Sequence, residues 1–193
     1  GGQKQIEFSL QGPDQTELER LARPLMADLR AIRGLVDLDS SSKPNKPTLQ
    51  VQVKREAASE LGLTSAQIAG PLRTLAAAIG AHAVVEIGTG GGVSGLWLLA
   101  GMPSHGVLTT IDVDAEHQRA AKEAFAAAGV THQRTRVITG RAQEVLSRMT
   151  DGAYDLVFVD GAKAEYPDYV AAATRLLRQG GVLVMDNMLW HDQ

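Results

Sequence analysis

The chain has 193 residues, 44% hydrophobic and 21% charged, a size that buries roughly 70% of the unfolded surface without covalent staples. It contains no cysteine, which excludes disulfides, thiolate metal sites and a cysteine nucleophile. Nineteen basic and 22 acidic side chains leave a net charge of −3, which is no electrostatic footprint for nucleic acid or an anionic membrane surface. No apolar run approaches the ~20 residues that cross a bilayer, and no secretory pattern opens the chain. Gly1-Gly2 reads as a cloning remnant, and the cytoplasm is the expected compartment.

Two unlike parts follow one another, divided near residue 70: residues 1–70 and residues 71–193. In the first, Gln5–Gln11 alternates, with Ile6, Phe8 and Leu10 apolar, and predicts a strand with one buried face. Gly12-Pro13-Asp14 breaks it, and Asp14 with Glu17 is a helix start. Leu18, Leu21, Leu25, Met26, Leu29 and Ile32 then keep helical spacing up to Gly34. Residues 35–40 predict a short strand and 41–47 a loop. Leu49, Val51 and Val53 alternate as a third strand, residues 57–61 predict a helical turn, and a helix capped by Thr64 or Ser65 runs through Ile79. The order β-α-β-β-α is a ferredoxin-like unit without its last strand.

The second part alternates strand and helix. Strands are predicted at Ala83–Ile87, 107–111, 136–139, 155–159 and 182–185, with helices at 92–101, 115–128, 143–149 and 166–177. Residues 155–159 and 181–185 are nearly continuous apolar runs, as suits central parallel strands covered on both faces. The fold class is therefore α/β: a Rossmann-like, doubly wound core.

The chemistry is expected at the strand ends. The run from Val84 to Ser94 closes a strand and opens a helix, and Gly88, Gly90 and Gly92 let the backbone turn tightly against a ligand. A plain strand–helix turn is the alternative. The next strand ends in Asp112, an acid placed to accept from two ribose hydroxyls, and Asp114 is placed to cap the following helix. No lysine follows the glycines, which excludes a P-loop. Glu86 would repel a pyrophosphate and suits a cationic ligand such as S-adenosylmethionine; an exposed strand-end acid is the alternative. Asp160, Asp186 and Asn187 close two further strands and form an oxygen donor set for Mg²⁺ or a similar hard cation. Such a cation can lower the pKa of a bound hydroxyl. Lys163 is placed nearby as general base. Arg141, Gln143 and Glu144 follow the third strand of this part, beside the expected adenine. His105 and His191 have no partners at metal-ligand spacing and read as surface residues.

On VEIGTGGGVS from Val85 to Ser94, IDVD from Ile111 to Asp114, VFVDGAK from Val157 to Lys163 and DNMLW from Asp186 to Trp190, the second part resembles the cation-dependent O-methyltransferases of the catechol and caffeoyl-CoA type. The resemblance implies S-adenosylmethionine as cofactor, with its methionine part at Glu86, Gly88 and Ser94 and its ribose at Asp112. It implies a metal at Asp160, Asp186 and Asn187, Asp160 also belonging to the cofactor set, and a catalytic lysine at Lys163. Members of that family carry additional helices ahead of this core and an antiparallel strand pair behind the fifth strand. Neither is recognisable here, so the acceptor pocket and one sheet edge are expected to be incomplete.

GLVDLDSS from Gly34, KPNKP from Lys43 and AASELGLTSAQIA from Ala57 resemble a porter subdomain of resistance-nodulation-division efflux pumps. The two resemblances together imply a chimera, joined near Pro71. A bare edge on each part predicts their pairing: Ile6 to Leu10 antiparallel to Val182 to Met185, giving one mixed sheet of eight strands. Small-molecule cofactor binding is expected to persist, with turnover impaired and no nucleic-acid or membrane partner. An inactive fold-recombination scaffold is the alternative.

Overall fold

The computed structural model describes the backbone of residues 5–11, 15–31, 40–42, 48–54 and 65–186, and the side chains of residues 16–31 and 70–186. The elements are β1 (Gln5–Gln11), α1 (Gln15–Ala31), β2 (Ser40–Ser42), β3 (Thr48–Lys54), α2 (Ser65–Ala78), β4 (Ala83–Ile87), α3 (Val93–Gly101) and β5 (Val107–Asp112). They continue with α4 (Ala115–Ala127), β6 (Thr135–Thr139), α5 (Ala142–Leu146), β7 (Tyr154–Val159), α6 (Tyr166–Leu176) and β8 (Leu177–Asp186). No helix among the described residues is long and apolar enough to cross a membrane.

All eight strands form one sheet in the order β2-β3-β1-β8-β7-β4-β5-β6. The five strands from β8 to β6 are parallel and make the Rossmann-like core. β1 and β3, and β2 and β3, pair antiparallel. β1 also pairs antiparallel with β8, with Phe8 opposite Asp186 and Gln11 opposite Leu183. The expected pairing of the two edges is therefore present, displaced two residues along β8 from the centred register.

Strand alternation sorts the core into two layers. Val84, Leu156, Phe158, Val182 and Val184 face one side and pack with Leu72, Leu75, Leu98 and Phe125 of the helices there. Val85, Ile87, Val157, Val159, Leu183 and Met185 face the other and pack with Leu146, Tyr169 and Leu176. Both faces are covered, which is why these strands read as unbroken apolar runs. α1 joins the first layer through Leu18, Leu21, Leu25 and Leu29, all buried, while Pro24 and Asp28 stay exposed.

Some boundaries differ from expectation. The three serines 40–42 form an edge strand where a loop was expected to begin; most of the predicted strand at 35–40, the helical turn at 57–61, Asp14 and Ile32 lie outside the described residues. α5 ends at Leu146 rather than at 149. β8 starts five residues early: Leu177 pairs with Tyr154, and the register jumps so that Val182 faces Leu156. Gly180 has φ +78°, which the bulge requires of a glycine, and a Cβ on Gly181 would lie 3.0 Å from the Arg178 and 3.1 Å from the Tyr154 carbonyl oxygen, so a side chain there is crowded.

Candidate functional site

Successive strands run outward from β4 in one direction through β5 and β6, and in the other through β7 and β8. The order reverses beside β4, and open α/β sheets take ligands at the carboxyl ends of the strands at such a point. A cleft of about 560 Å³ opens there, lined by Ile87, Gly88, Asp112, Val113, His117, Arg141, Gln143, Asp160, Glu165 and Tyr169 among others.

The glycine loop is built for close approach. Gly88, Gly90 and Gly92 have φ of +95°, +48° and +81°. A Cβ on Gly88 would sit 2.2 Å from the Asp160 carbonyl oxygen, so the β4 and β7 ends meet only because residue 88 has no side chain. A Cβ on Gly92 would sit 3.0 Å from Ala121, which is how the start of α3 packs on α4.

Glu86 is not an exposed strand-end acid, as one expectation had it: its exposure is 0%. It accepts hydrogen bonds from Ser94 Oγ at 2.5 Å and Thr110 Oγ1 at 2.6 Å. Burial pushes its carboxyl up to about 7, the two hydroxyls oppose this, and the negative charges of Asp160 and Asp112 add to the rise. Thr110 lies 2.6 Å from Thr89 Oγ1, which accepts from Gln118 Nε2 at 3.1 Å. Gln118 also donates to the Ile138 carbonyl at 2.8 Å, so one polar chain ties β4, β5, α4 and β6 together behind the loop.

Asp112 faces the cleft and accepts from the backbone N–H groups of Thr89 (3.0 Å), Gly90 (3.1 Å) and Asp114 (2.9 Å) and from the His117 ring (3.2 Å). Burial would raise its carboxyl, but these donors outweigh burial and hold it below the usual range. Asp114 caps α4, accepting from Glu116 N at 2.8 Å, as its position in the sequence predicts. On the opposite wall, Tyr169 donates to Glu165, and Gln143 and Arg141 also approach that carboxylate. The Tyr169 hydroxyl comes first, with Gln143 next, in holding Glu165 below the usual range. The Gln143 Oε1 is buried with no hydrogen-bond partner.

Asp160 and Asp186 share a neighbourhood. Both charges, after burial, push the Tyr166 phenol up, and the Tyr166 hydroxyl donates to the Asp186 carbonyl at 2.6 Å. No cluster of three or more potential metal-ligating acids or histidines occurs among the described residues. Asn187, the third expected ligand, lies outside them. Lys163 opens a short 3-10 turn (Lys163–Glu165), exposed and next to Ala162 of the cleft wall.

Of the expected residues, Gly88, Asp112, Gln143 and Asp160 line the cleft, while Glu86, Gly90, Gly92 and Ser94 form the loop and its support behind it. Sequence reasoning passed over Thr110, Gln118, His117 and Tyr169. Thr110 was within reach of it, since strand alternation puts Thr110 on the same face as Asp112 and the parallel register sets it opposite Glu86.

This is an α/β protein with a nucleotide-type cleft ringed by carboxylates and without a lysine or arginine in its glycine loop. The O-methyltransferase family profile matches residues 40–193, and the chain belongs to that family. A Mycolicibacterium vanbaalenii protein assigned as an O-methyltransferase is 56% identical over 137 residues, 70% of this chain and 61% of that protein. The Streptomyces achromogenes O-methyltransferase TomG, involved in tomaymycin synthesis and solved with S-adenosylmethionine, is 36% identical with TM-score 0.60, covering 68% of this chain and 62% of that one. A Bacillus cereus O-methyltransferase solved with S-adenosylhomocysteine is 26% identical with TM-score 0.60, covering 91% of this chain and 67% of that one. The chain thus spans about three fifths of the length of the curated relative it matches.

Proposed function

We propose that the cleft binds S-adenosylmethionine and that the chain is the core of a cation-dependent O-methyltransferase. The observation that carries this is the set of carboxylates Glu86, Asp112 and Asp160 around a left-handed glycine loop. Such a loop repels a pyrophosphate and favours a ligand carrying ammonium and sulfonium charges. Asp112 is assigned to the ribose hydroxyls. The buried, unpartnered Gln143 Oε1 is an acceptor suited to an exocyclic amine, which supports assigning the adenine to the wall at Gln143 and Val113. Gly88 and Ser94 are assigned to the methionine part, with Glu86 fixing Ser94.

Asp160 and Asp186, with the amide oxygen of Asn187, are oxygen donors fitted to a hard divalent cation. Bound there, Mg²⁺ would hold an acceptor hydroxyl and lower its pKa. Lys163 is assigned to take the proton of that hydroxyl at Nζ. The segment up to about residue 70 is read as a ferredoxin-like piece of porter type that covers the β8 edge; the family profile begins at residue 40, so the foreign part on this reading is the stretch ahead of it. Cofactor binding is accordingly the property retained, and turnover the property impaired.

Calorimetric titration of S-adenosylhomocysteine, with and without Mg²⁺, tests the assignment. One-to-one binding that Asp112→Ala weakens at least about tenfold is expected, the scale of a lost charge-assisted hydrogen-bond pair. No heat from a protein that melts cooperatively would sink it and leave the inactive scaffold as the reading.

A further inference from the structure

One polar atom in the cleft wall has no partner. The Oε1 of Gln143 is shielded from water and makes no hydrogen bond, although buried polar atoms are almost always paired. The other end of that amide is engaged. The side chains of Gln143 and Glu165 are hydrogen-bonded, and both residues line the cleft. An ionised carboxylate only accepts, so the Nε2 group of Gln143 is the end that faces Glu165, and Oε1 is the end turned away.

Glu165 is itself held. It leads into α6, and the hydroxyl of Tyr169, one turn further on, donates to its Oε2. The Tyr169 ring is buried and packs against Gly161, where a Cβ would come within 3.1 Å of its Cε2. Burial, and then the Glu165 contact, push the Tyr169 phenol up, which keeps it a donor. Tyr169 first and Gln143 next hold Glu165 below the usual carboxylate range, so it stays ionised at neutral pH. Arg141 Nη2 stands 3.8 Å from its other oxygen, Oε1.

The geometry points to Glu165 as a positioning residue that sets base specificity: anchored by Tyr169, it fixes the Gln143 amide with its oxygen free, so the cleft takes a 6-amino purine and rejects a 6-oxo one. This rests on the cofactor assignment made above. The last torsion of a glutamine is broad, so a small turn brings Oε1 onto a base seated against this wall. A 6-amino group donates to that oxygen. A 6-oxo group sets acceptor against acceptor and leaves both unpaired.

The test is calorimetric binding of S-adenosylhomocysteine and of its 6-oxo analogue, S-inosylhomocysteine, to the wild-type chain, Glu165→Gln, Gln143→Ala and Tyr169→Phe. Each protein is first shown to melt cooperatively. The wild type is expected to prefer the 6-amino ligand at least about tenfold. Glu165→Gln offers Gln143 an oxygen or an amine, so the Gln143 amide is free to turn over. Its preference is expected to fall at least about threefold, with the 6-oxo ligand bound more tightly than by wild type. Gln143→Ala is expected to lower the preference through weaker binding of the 6-amino ligand. Tyr169→Phe keeps the carboxylate but releases it, and is expected to lower the preference by a smaller factor; it reports in place of Glu165→Gln should that chain not melt cooperatively. A wild type without preference, a Glu165→Gln chain with the wild-type preference, or one that loses affinity for both ligands alike overturns the inference while leaving the cofactor assignment standing. Unchanged preference in Gln143→Ala overturns it too. Absence of binding of both ligands to every protein overturns the cofactor assignment and this inference together.

Discussion

Glu86 is a carboxyl group enclosed by the fold, with two hydroxyls for company and two carboxylates nearby. Its carboxyl sits near 7 in the folded chain and near the ordinary value when unfolded. The folded state therefore holds a proton that the unfolded state releases between about pH 4.5 and 7, and stability falls as pH rises through that window. The full effect is about 3 kcal/mol, taking ~1.4 kcal/mol for each unit. Glu86→Gln is expected to flatten that slope and to melt higher than wild type at pH 8, as thermal denaturation across the window would show. A variant with the wild-type slope would show that other groups set it. Gly88 gives a second prediction at this scale. Its φ of +95° and the 2.2 Å approach of the Asp160 carbonyl leave no room for a methyl group. Gly88→Ala is expected to cost about 1–3 kcal/mol in chemical denaturation and to abolish S-adenosylhomocysteine binding, because the β4 and β7 ends must part.

Helices α2 and α3 cross closely, and one residue allows it. A Cβ on Gly101 would lie 2.1 Å from the Arg73 carbonyl oxygen and 3.0 Å from Ala76 Cβ. Gly101→Ala is expected to lower stability by about 1–3 kcal/mol while leaving the more distant cleft able to bind ligand, which separates helix packing from site geometry in a paired melt and titration. Elements of this kind were legible in the chain wherever burial wrote a period. The α1 leucines, the paired faces of β7 and the strand–glycine–helix join at Gly88 are local patterns, so they can be read without a partner. Ser40–Ser42 has no such period; three serines become a strand only because β3 offers a ladder. Arg178-Gln179-Gly180-Gly181 carries no strand period and fell between the expected helix and strand, yet it belongs to β8, whose pairing with β7 starts at Tyr154 opposite Leu177 and resumes across a bulge. The same distinction divides the site. Asp112 announces itself by its place after β5, whereas Gln118 matters through the Thr89 hydroxyl and the Ile138 carbonyl, contacts that only the folded sheet brings together.

On the scale of the whole molecule, β8 belongs to both parts of the chain. It pairs with β7 on one side and β1 on the other, so the eight-stranded sheet has no internal seam. A single cooperative unfolding transition is expected for the whole chain, with amide exchange in β1 and β8 rising together; two separate transitions would show that the parts fold independently. Proline at residue 9 removes a donor from a strand with neighbours on both sides, and Ser9→Pro is expected to lower the melting temperature and to loosen β8 as well as β1. The last residue of β8 is Asp186, whose Cα stands opposite Phe8 while its carbonyl is held by Tyr166. β1 thus works as a ruler laid along the strand that carries a candidate ligand. Slipping it by one residue would present every β1 side chain to the other face, so the apolar pattern of Ile6, Phe8 and Leu10 resists the slip. The β1 register thereby sets where along β8, up to Asp186, the backbone finds its second partner.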